Sequence, residues 1–150
     1  MNPLAQLANV LPRQALPAPL LQAFTDLLPQ RCSTAEAVRA HHGRDESCYA
    51  PMLPDVVLFA HTLDEVVSIV KLCAQYRVPL IPYGVGSSLE GHVLAVQGGV
   101  TLDLSQMNQI VQIYPDDLCV TVQAGVTRKQ LNAALHDSGL FFPIDPGADA

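Results

Sequence analysis

The spacing of hydrophobic positions changes several times along the chain, and each change marks an element. Leu20, Leu21, Phe24, Leu27 and Leu28 form one stripe at helical spacing between Pro19 and Pro29, which predicts a short amphipathic helix that docks on the domain. Ser33-Thr34-Ala35-Glu36 has the S-x-x-E form of a capping box and predicts a second short helix, stopped at His41-His42-Gly43. From Asp55 the pattern alters. Val56 to Ala60 is a continuous apolar run of strand length, the mark of a strand covered on both faces. Thr62-Leu63-Asp64-Glu65 is another capping box, and Val66, Ile69, Val70 and Cys73 form the buried stripe of a helix of about four turns. Pro79 to Tyr83 reads as the next strand. Strand, helix and strand within about 28 residues make a βαβ unit, with parallel strands and a right-handed crossover.

The second half is richer in strands. Val100 to Leu104, Ile110 to Tyr114 and Leu118 to Gln123 each read as one, the last two joined through Pro115-Asp116-Asp117, residues suited to a turn. Thr127-Arg128-Lys129-Gln130 is a capping box of the T-x-x-Q kind, followed by Leu131, Ala134 and Leu135 as an apolar face and Gly139 as a stop. The order β-α-β-β-β-β-α predicts an α+β domain with a mixed sheet and a βαβ start.

Composition then removes several classes of function. The 150 residues are 49% apolar and 15% charged, enough for one compact domain and too few for two of ordinary size. Folding at this length buries roughly 68–70% of the unfolded surface, so no disulfide or metal staple is needed. Eight Lys+Arg against fourteen Asp+Glu give a net charge of −6 with no basic window, which argues against nucleic acid as a partner. The longest apolar run, Val56 to Ala60, is far short of the roughly 20 residues of a membrane-spanning helix. Arg13 is the first base, and Pro12, Pro17 and Pro19 cut the apolar stretches around it; this fits neither a secretory signal nor an Arg-rich transit peptide. The expected location is cytoplasmic, with peripheral attachment to the inner membrane left open. Cys32, Cys48, Cys73 and Cys119 include no C-x-x-C pair and are expected to be reduced, mostly buried thiols. His41 and His42 are expected at a solvated helix end, because no third metal ligand lies near them in sequence.

Candidate chemistry concentrates in Pro82-Tyr83-Gly84-Val85-Gly86-Ser87-Ser88-Leu89-Glu90-Gly91-His92, directly after an apolar strand. Glycines permit positive φ and let main-chain N–H groups approach a ligand, and successive inward N–H groups form an anion-binding nest. Serines add donors without charge. Such a loop suits a diphosphate bound by amide dipoles in an acidic protein. Gly86 and Gly91 have P-loop spacing, but His92 and Val93 stand where Lys and Ser/Thr are required. Leu89 stands where the dinucleotide fingerprint needs its third glycine, and no helical stripe follows. Taken alone, the loop reads equally well as a tight turn between strands.

Four segments in fixed order carry a resemblance. They are Asp55 through Thr62-Leu63-Asp64-Glu65-Val66-Val67, Pro79 through Gly91, Val122-Gln123-Ala124-Gly125-Val126-Thr127, and Gly139-Leu140-Phe141-Phe142-Pro143-Ile144-Asp145-Pro146-Gly147. Together they resemble the first half of an FAD-binding domain of the p-cresol methylhydroxylase type, in the vanillyl-alcohol oxidase superfamily. Within it they are most similar to the FAD-linked D-lactate dehydrogenases of the cytochrome-linked kind and to the flavoprotein subunit of glycolate oxidase. The resemblance implies an N-terminal helical arm over residues 1–48 and the first half of the cofactor domain over 49–150, incomplete at its C-terminus. It implies that Gly84, Val85, Gly86, Ser87 and Ser88, entered from Pro82, cradle the FAD diphosphate while Gly91 and His92 close the loop. Gly125 matches a second backbone contact, and Pro143, Asp145, Pro146 and Gly147 match a loop approaching the diphosphate and flavin from the other side. Some members carry a flavin-linked histidine where Ser87 stands, so FAD is expected to be non-covalent, with His92 a hydrogen-bonding loop residue.

Glu90 is expected to point away, since a carboxylate beside a diphosphate is unfavourable at close range. Asp145 has two readings, an Asx-type turn residue before Pro146 or an acceptor for a ribose or ribityl hydroxyl. Hydride transfer from a 2-hydroxy acid needs a cation for the carboxylate and a base for the hydroxyl proton, and no Arg or His here stands in a motif that assigns either role. The expected function is therefore the FAD-binding portion of a dehydrogenase that takes D-lactate or glycolate to the 2-keto acid. Its substrate would be held by a cap domain, and its electrons passed to a quinone or cytochrome. The alternatives are a catalytically inactive nucleotide- or anion-binding remnant and an interaction domain whose loop is only a turn.

Overall fold

The computed structural model describes residues 13–144. It is a mixed α/β arrangement with helices α1 (Ala18–Leu27), α2 (Glu36–His42), α3 (Leu63–Tyr76) and α4 (Arg128–Leu135). Strands β1 (Cys32–Ser33), β2 (Val56–Phe59), β3 (Leu80–Tyr83) and β4 (Val100–Asp103) form one sheet in the order β1-β2-β4-β3, while β5 (Ile110–Tyr114) and β6 (Cys119–Val122) form a separate antiparallel pair. β2, β4 and β3 are parallel and β1 is antiparallel to β2. The mixed sheet agrees with the α+β reading, and β2-α3-β3 is the expected βαβ unit. Its two strands are not neighbours, because β4 inserts between them. β3 is left at the edge, where Pro82 can sit without costing a ladder hydrogen bond.

Local chemistry accounts for the starts of α3 and α4. Thr62 and Thr127 each form the reciprocal capping box their sequences predict: the Glu65 and Gln130 amides donate to the threonine Oγ1, and the Glu65 and Gln130 side chains accept the Thr62 and Thr127 amides. Ser33 departs from its prediction. It pairs with Val57 as the second residue of β1, and α2 begins after Ala35 with no side-chain cap. Sheet pairing, which satisfies backbone groups on a half-buried strand, outcompetes a cap at the start of a seven-residue helix.

The core lies between α1, α3 and the parallel strands. Leu20, Phe24 and Leu28 from the N-terminal helix, Val56 and Leu58 from β2, Ile69 and Cys73 from α3 and Val100 and Leu102 from β4 form one buried cluster. Two sequence expectations fail here. His42 is buried rather than solvated. Of the four cysteines, all free, only Cys73 is buried; Cys32 is half-buried, and Cys48 and Cys119 are exposed. Both outcomes depend on long-range packing that helical or strand periodicity does not encode.

Candidate functional site

The parallel strands end in register, with Phe59 and Tyr83 flanking Asp103, and the chain leaves β3 directly into the glycine loop. Crevices beyond the carboxyl ends of parallel strands are where open α/β sheets take ligands. Gly86 and Gly91 both have positive φ, +72° and +78°, which a side chain would strain. A Cβ at Gly86 would also overlap the Tyr83 hydroxyl.

The loop is held from its own interior. The Ser88 hydroxyl accepts the amides of Glu90 (3.4 Å) and His92 (3.3 Å) and lies 3.0 Å from His92 Nδ1, while the Ser88 carbonyl accepts the Glu46 amide. Asp45 lies on one flank. Burial would raise its pKa, but hydrogen bonds from Ser47, Ser88 and the Gly91 amide hold the carboxyl below the usual carboxylate range. His92 thus spends its amide inside the loop, and the Gly91 amide is turned to Asp45. The amides of Gly84, Val85, Gly86, Ser87 and Ser88 donate to no protein acceptor among the described residues. Five successive unspent donors at a strand end are open to an external acceptor.

Gly84 and Val85 face Gly125 across a cavity of about 310 Å³ that Ser105, Asn108, Ala124, Val126, Thr127 and Gln130 complete. None of these side chains is charged. Two segments 40 residues apart in sequence therefore meet at one site. Gly125 serves that meeting by its lack of a side chain, since a Cβ there would run into the carbonyl oxygens of Leu104 and Ser105. Its own amide donates to Met107 O at 2.8 Å. Val85 and Gly86 also line a second, polar cavity of about 330 Å³ with His41, Arg44, Asp45, Glu46 and Tyr83. Glu90 is exposed. Pro82 remains in β3, outside both cavities, and Pro143 lines an apolar groove with Leu118, Leu131, Phe141 and others, away from the glycine loop. Asp145, Pro146 and Gly147 lie outside the described residues. Ser105 and Asn108 are missed by sequence reading: they sit in a short turn after β4 with no motif around them, and only the return of the chain to Gly125 brings them to the site.

These residues fit FAD. The unspent amides can take a diphosphate, glycine keeps the approach open, and no carboxylate lines the cavity between the two loops. Comparison with known proteins agrees. A family model described as FAD binding domain matches residues 54–150. The chain is 52% identical over 118 residues to a probable mitochondrial D-lactate dehydrogenase of Danio rerio, covering 79% of this chain and 24% of that protein. It is 38% identical over 137 residues to the mitochondrial D-lactate dehydrogenase [cytochrome] of Arabidopsis thaliana, covering 90% of this chain and 24% of that one. The chain spans about a quarter of the length of these relatives. Among solved structures, p-cresol methylhydroxylase with substrate bound superposes with a TM-score of 0.71 at 23% identity, over 81% of this chain and 25% of that one. The fold, the loop and the match over residues 54–150 make this chain a member of the FAD-binding domain family, with the p-cresol methylhydroxylase type of fold and FAD as its cofactor.

Proposed function

We propose that the chain supplies the diphosphate-binding portion of an FAD-linked 2-hydroxy-acid dehydrogenase acting on D-lactate or glycolate. The single observation that carries this reading is the row of unspent amides from Gly84 to Ser88, which begins with Gly84 and Val85 opposite Gly125 in a cavity lined by uncharged side chains. Gly84, Val85, Gly86, Ser87 and Ser88 would hold the diphosphate, and Ser105 and Asn108 offer neutral polar groups beside it. Gly91 and His92 act as the loop's internal closure. Asp145, Pro146 and Gly147 belong to the same proposal as the opposite wall, whereas Pro143 lies in the apolar groove away from the loop. Bound FAD would supply the hydride acceptor for oxidation of a hydroxyl-bearing carbon. Ser87 offers no side chain that bonds to flavin, which supports non-covalent binding.

Under this reading no residue of these 150 is assigned to substrate recognition. Residues 49–150 then form the first half of the cofactor domain and 1–48 an arm packed on it. The electron acceptor, a quinone or cytochrome, follows from the likeness to the D-lactate dehydrogenases, one of which carries cytochrome in its name. No helix among the described residues is long and apolar enough to cross a membrane, and the cytoplasmic placement with peripheral membrane contact remains part of the proposal; both relatives above are named as mitochondrial.

On its own the chain should hold FAD weakly and turn over no D-lactate. Titration of the ¹⁵N-labelled protein with FAD and with ADP, followed by amide chemical shifts, tests this. Shifts concentrated in Gly84–Ser88 and around Gly125 with both ligands, and little with riboflavin, support the reading. No shift in the loop at millimolar FAD overturns it. Binding of FAD together with failure of any longer form of the protein to oxidise a 2-hydroxy acid would favour the inactive remnant.

A further inference from the structure

We propose that His42 and Asp103 are positioning residues that set the glycine loop for the cofactor, acting through Tyr83. The inference rests on the FAD reading above and adds a part of the protein that contacts no ligand.

The geometry is a short chain of contacts. Phe59, Asp103 and Tyr83 end their parallel strands side by side, and the buried His42 ring lies across them. His42 Nε2 donates to Asp103 Oδ2 at 2.8 Å and Nδ1 to the Val38 carbonyl at 2.9 Å. Both partners are acceptors, so satisfying both requires two N–H groups and a charged imidazolium. The ring meets Phe59 edge-on at 5.6 Å and stands 4.4 Å from the Tyr83 ring, within the range of a cation–π contact. The Asp103 carboxylate also accepts the Ser105 amide at 2.8 Å. At the far end of Tyr83, the hydroxyl packs so closely on Gly86 that no Cβ would fit. Movement of the Tyr83 ring therefore passes to Gly86, in the middle of the unspent amides.

A buried ion pair is a poor way to gain stability, because desolvation offsets most of the attraction and apolar residues of like volume pack as well. Its distinctive property is directional fixation of the groups it touches. The titratable groups that face this pair are Tyr83 from β3 and His41 from the same helix, and Arg44 and Asp45 from the segment that follows it act on Tyr83; β2 contributes only uncharged Phe59. Burial pulls the His42 pKa down, but hydrogen bonds to Asp103 and Val38 and the charge of Asp103 outweigh it, so the ring titrates above an ordinary histidine. Burial likewise pushes Asp103 up, and His42 and Ser105 more than reverse it.

The test is FAD affinity of the ¹⁵N-labelled chain from pH 6 to 9, read from loop amide shifts, for the wild type, His42→Gln and Asp103→Asn. FAD keeps its diphosphate charge throughout this range. The wild type should lose about 3- to 30-fold in affinity as His42 deprotonates, the span of a cation–π contact. In Asp103→Asn, which keeps a hydrogen-bonding partner but drops the charge, that loss should move to lower pH. His42→Gln should bind weakly at every pH, with the Gly86 amide displaced in the free protein. A flat wild-type profile, an unmoved midpoint in Asp103→Asn, or wild-type affinity in folded His42→Gln overturns the positioning role while leaving the FAD reading intact. Should His42→Gln not fold, the wild-type profile and Asp103→Asn decide. Absence of any loop shift in the wild type overturns both.

Discussion

Glu65 receives both terminal nitrogens of Arg31, with Oε1 at 2.6 Å from Nη2 and Oε2 at 2.9 Å from Nη1. The same carboxylate accepts the His61 amide at 2.8 Å and completes the cap of α3, and Arg31 Nη1 also donates to the Phe59 carbonyl at 3.0 Å. One pair thus ties the segment after α1 to the end of β2 and the start of α3. The Arg31 hydrogen bonds, helped by the two backbone amides, hold the Glu65 carboxyl down to about 2. Because the folded value lies below the unfolded one, the stabilisation is complete above pH 4.5 and is lost as pH falls toward 2. Arg31→Met should cost about 1–3 kcal/mol at neutral pH, the lower part being the more realistic because both side chains keep some solvent contact. Urea unfolding at pH 7 and pH 3 checks it: the difference between wild type and variant must shrink at the lower pH.

Phe24 gives a second expectation. It is fully buried together with Leu20 and Leu28, in the cluster that holds the sheet against α3. Phe24→Ala should destabilise the protein by about 3–5 kcal/mol, the usual cost of emptying a fully packed aromatic site. The N-terminal helix is then part of the folding unit, and deleting residues 1–30 should abolish cooperative unfolding followed by circular dichroism. A Phe24→Ala loss below about 1 kcal/mol would make the helix a peripheral attachment.

Features encoded within a few residues were legible in the sequence. The runs Val56–Ala60 and Ile110–Tyr114 and the capping boxes at Thr62 and Thr127 depend on local periodicity and side-chain-to-backbone reach, and the structure contains them. The glycine loop was legible because glycine readily takes the positive φ found at Gly86 and Gly91. What escaped depends on partners distant in the chain. Ser33 is drawn into a sheet by Val57, and His42 is buried by Asp103, 61 residues away. The place of β4 between β2 and β3 has no local signature, and Asn108 joins the site only because the chain returns to Gly125.

The cysteines should separate by reactivity. The thiolate is the attacking species, and burial pushes the Cys73 thiol up to about 11. Burial also raises Cys32, against a smaller opposing effect of the Thr25 hydroxyl. Cys48 and Cys119 are exposed. At pH 8 an aromatic disulfide reagent should modify Cys48 and Cys119 rapidly, Cys32 slowly and Cys73 only at the rate of unfolding. Peptide mapping of the labelled protein over time checks this order, and early labelling of Cys73 would contradict its place in the core.

Gly84 and Gly125 offer the most selective test of the cofactor cavity, because both line it and only one is structurally constrained. A Cβ on Gly84 meets nothing within 4 Å, and its φ is not positive. Gly84→Ala should therefore leave stability within about 0.5 kcal/mol of the wild type, while the new methyl group, projecting into the cavity, weakens FAD and ADP binding. A Cβ on Gly125 would press into two backbone carbonyls, atoms that cannot rotate away, so Gly125→Ala should cost about 1–3 kcal/mol. Urea unfolding with amide-shift titration on both variants separates the two effects. If Gly84→Ala binds FAD as the wild type does, the diphosphate does not lie against the start of the loop. If it also unfolds as readily as Gly125→Ala, the space beside Gly84 is occupied by protein rather than open to a ligand.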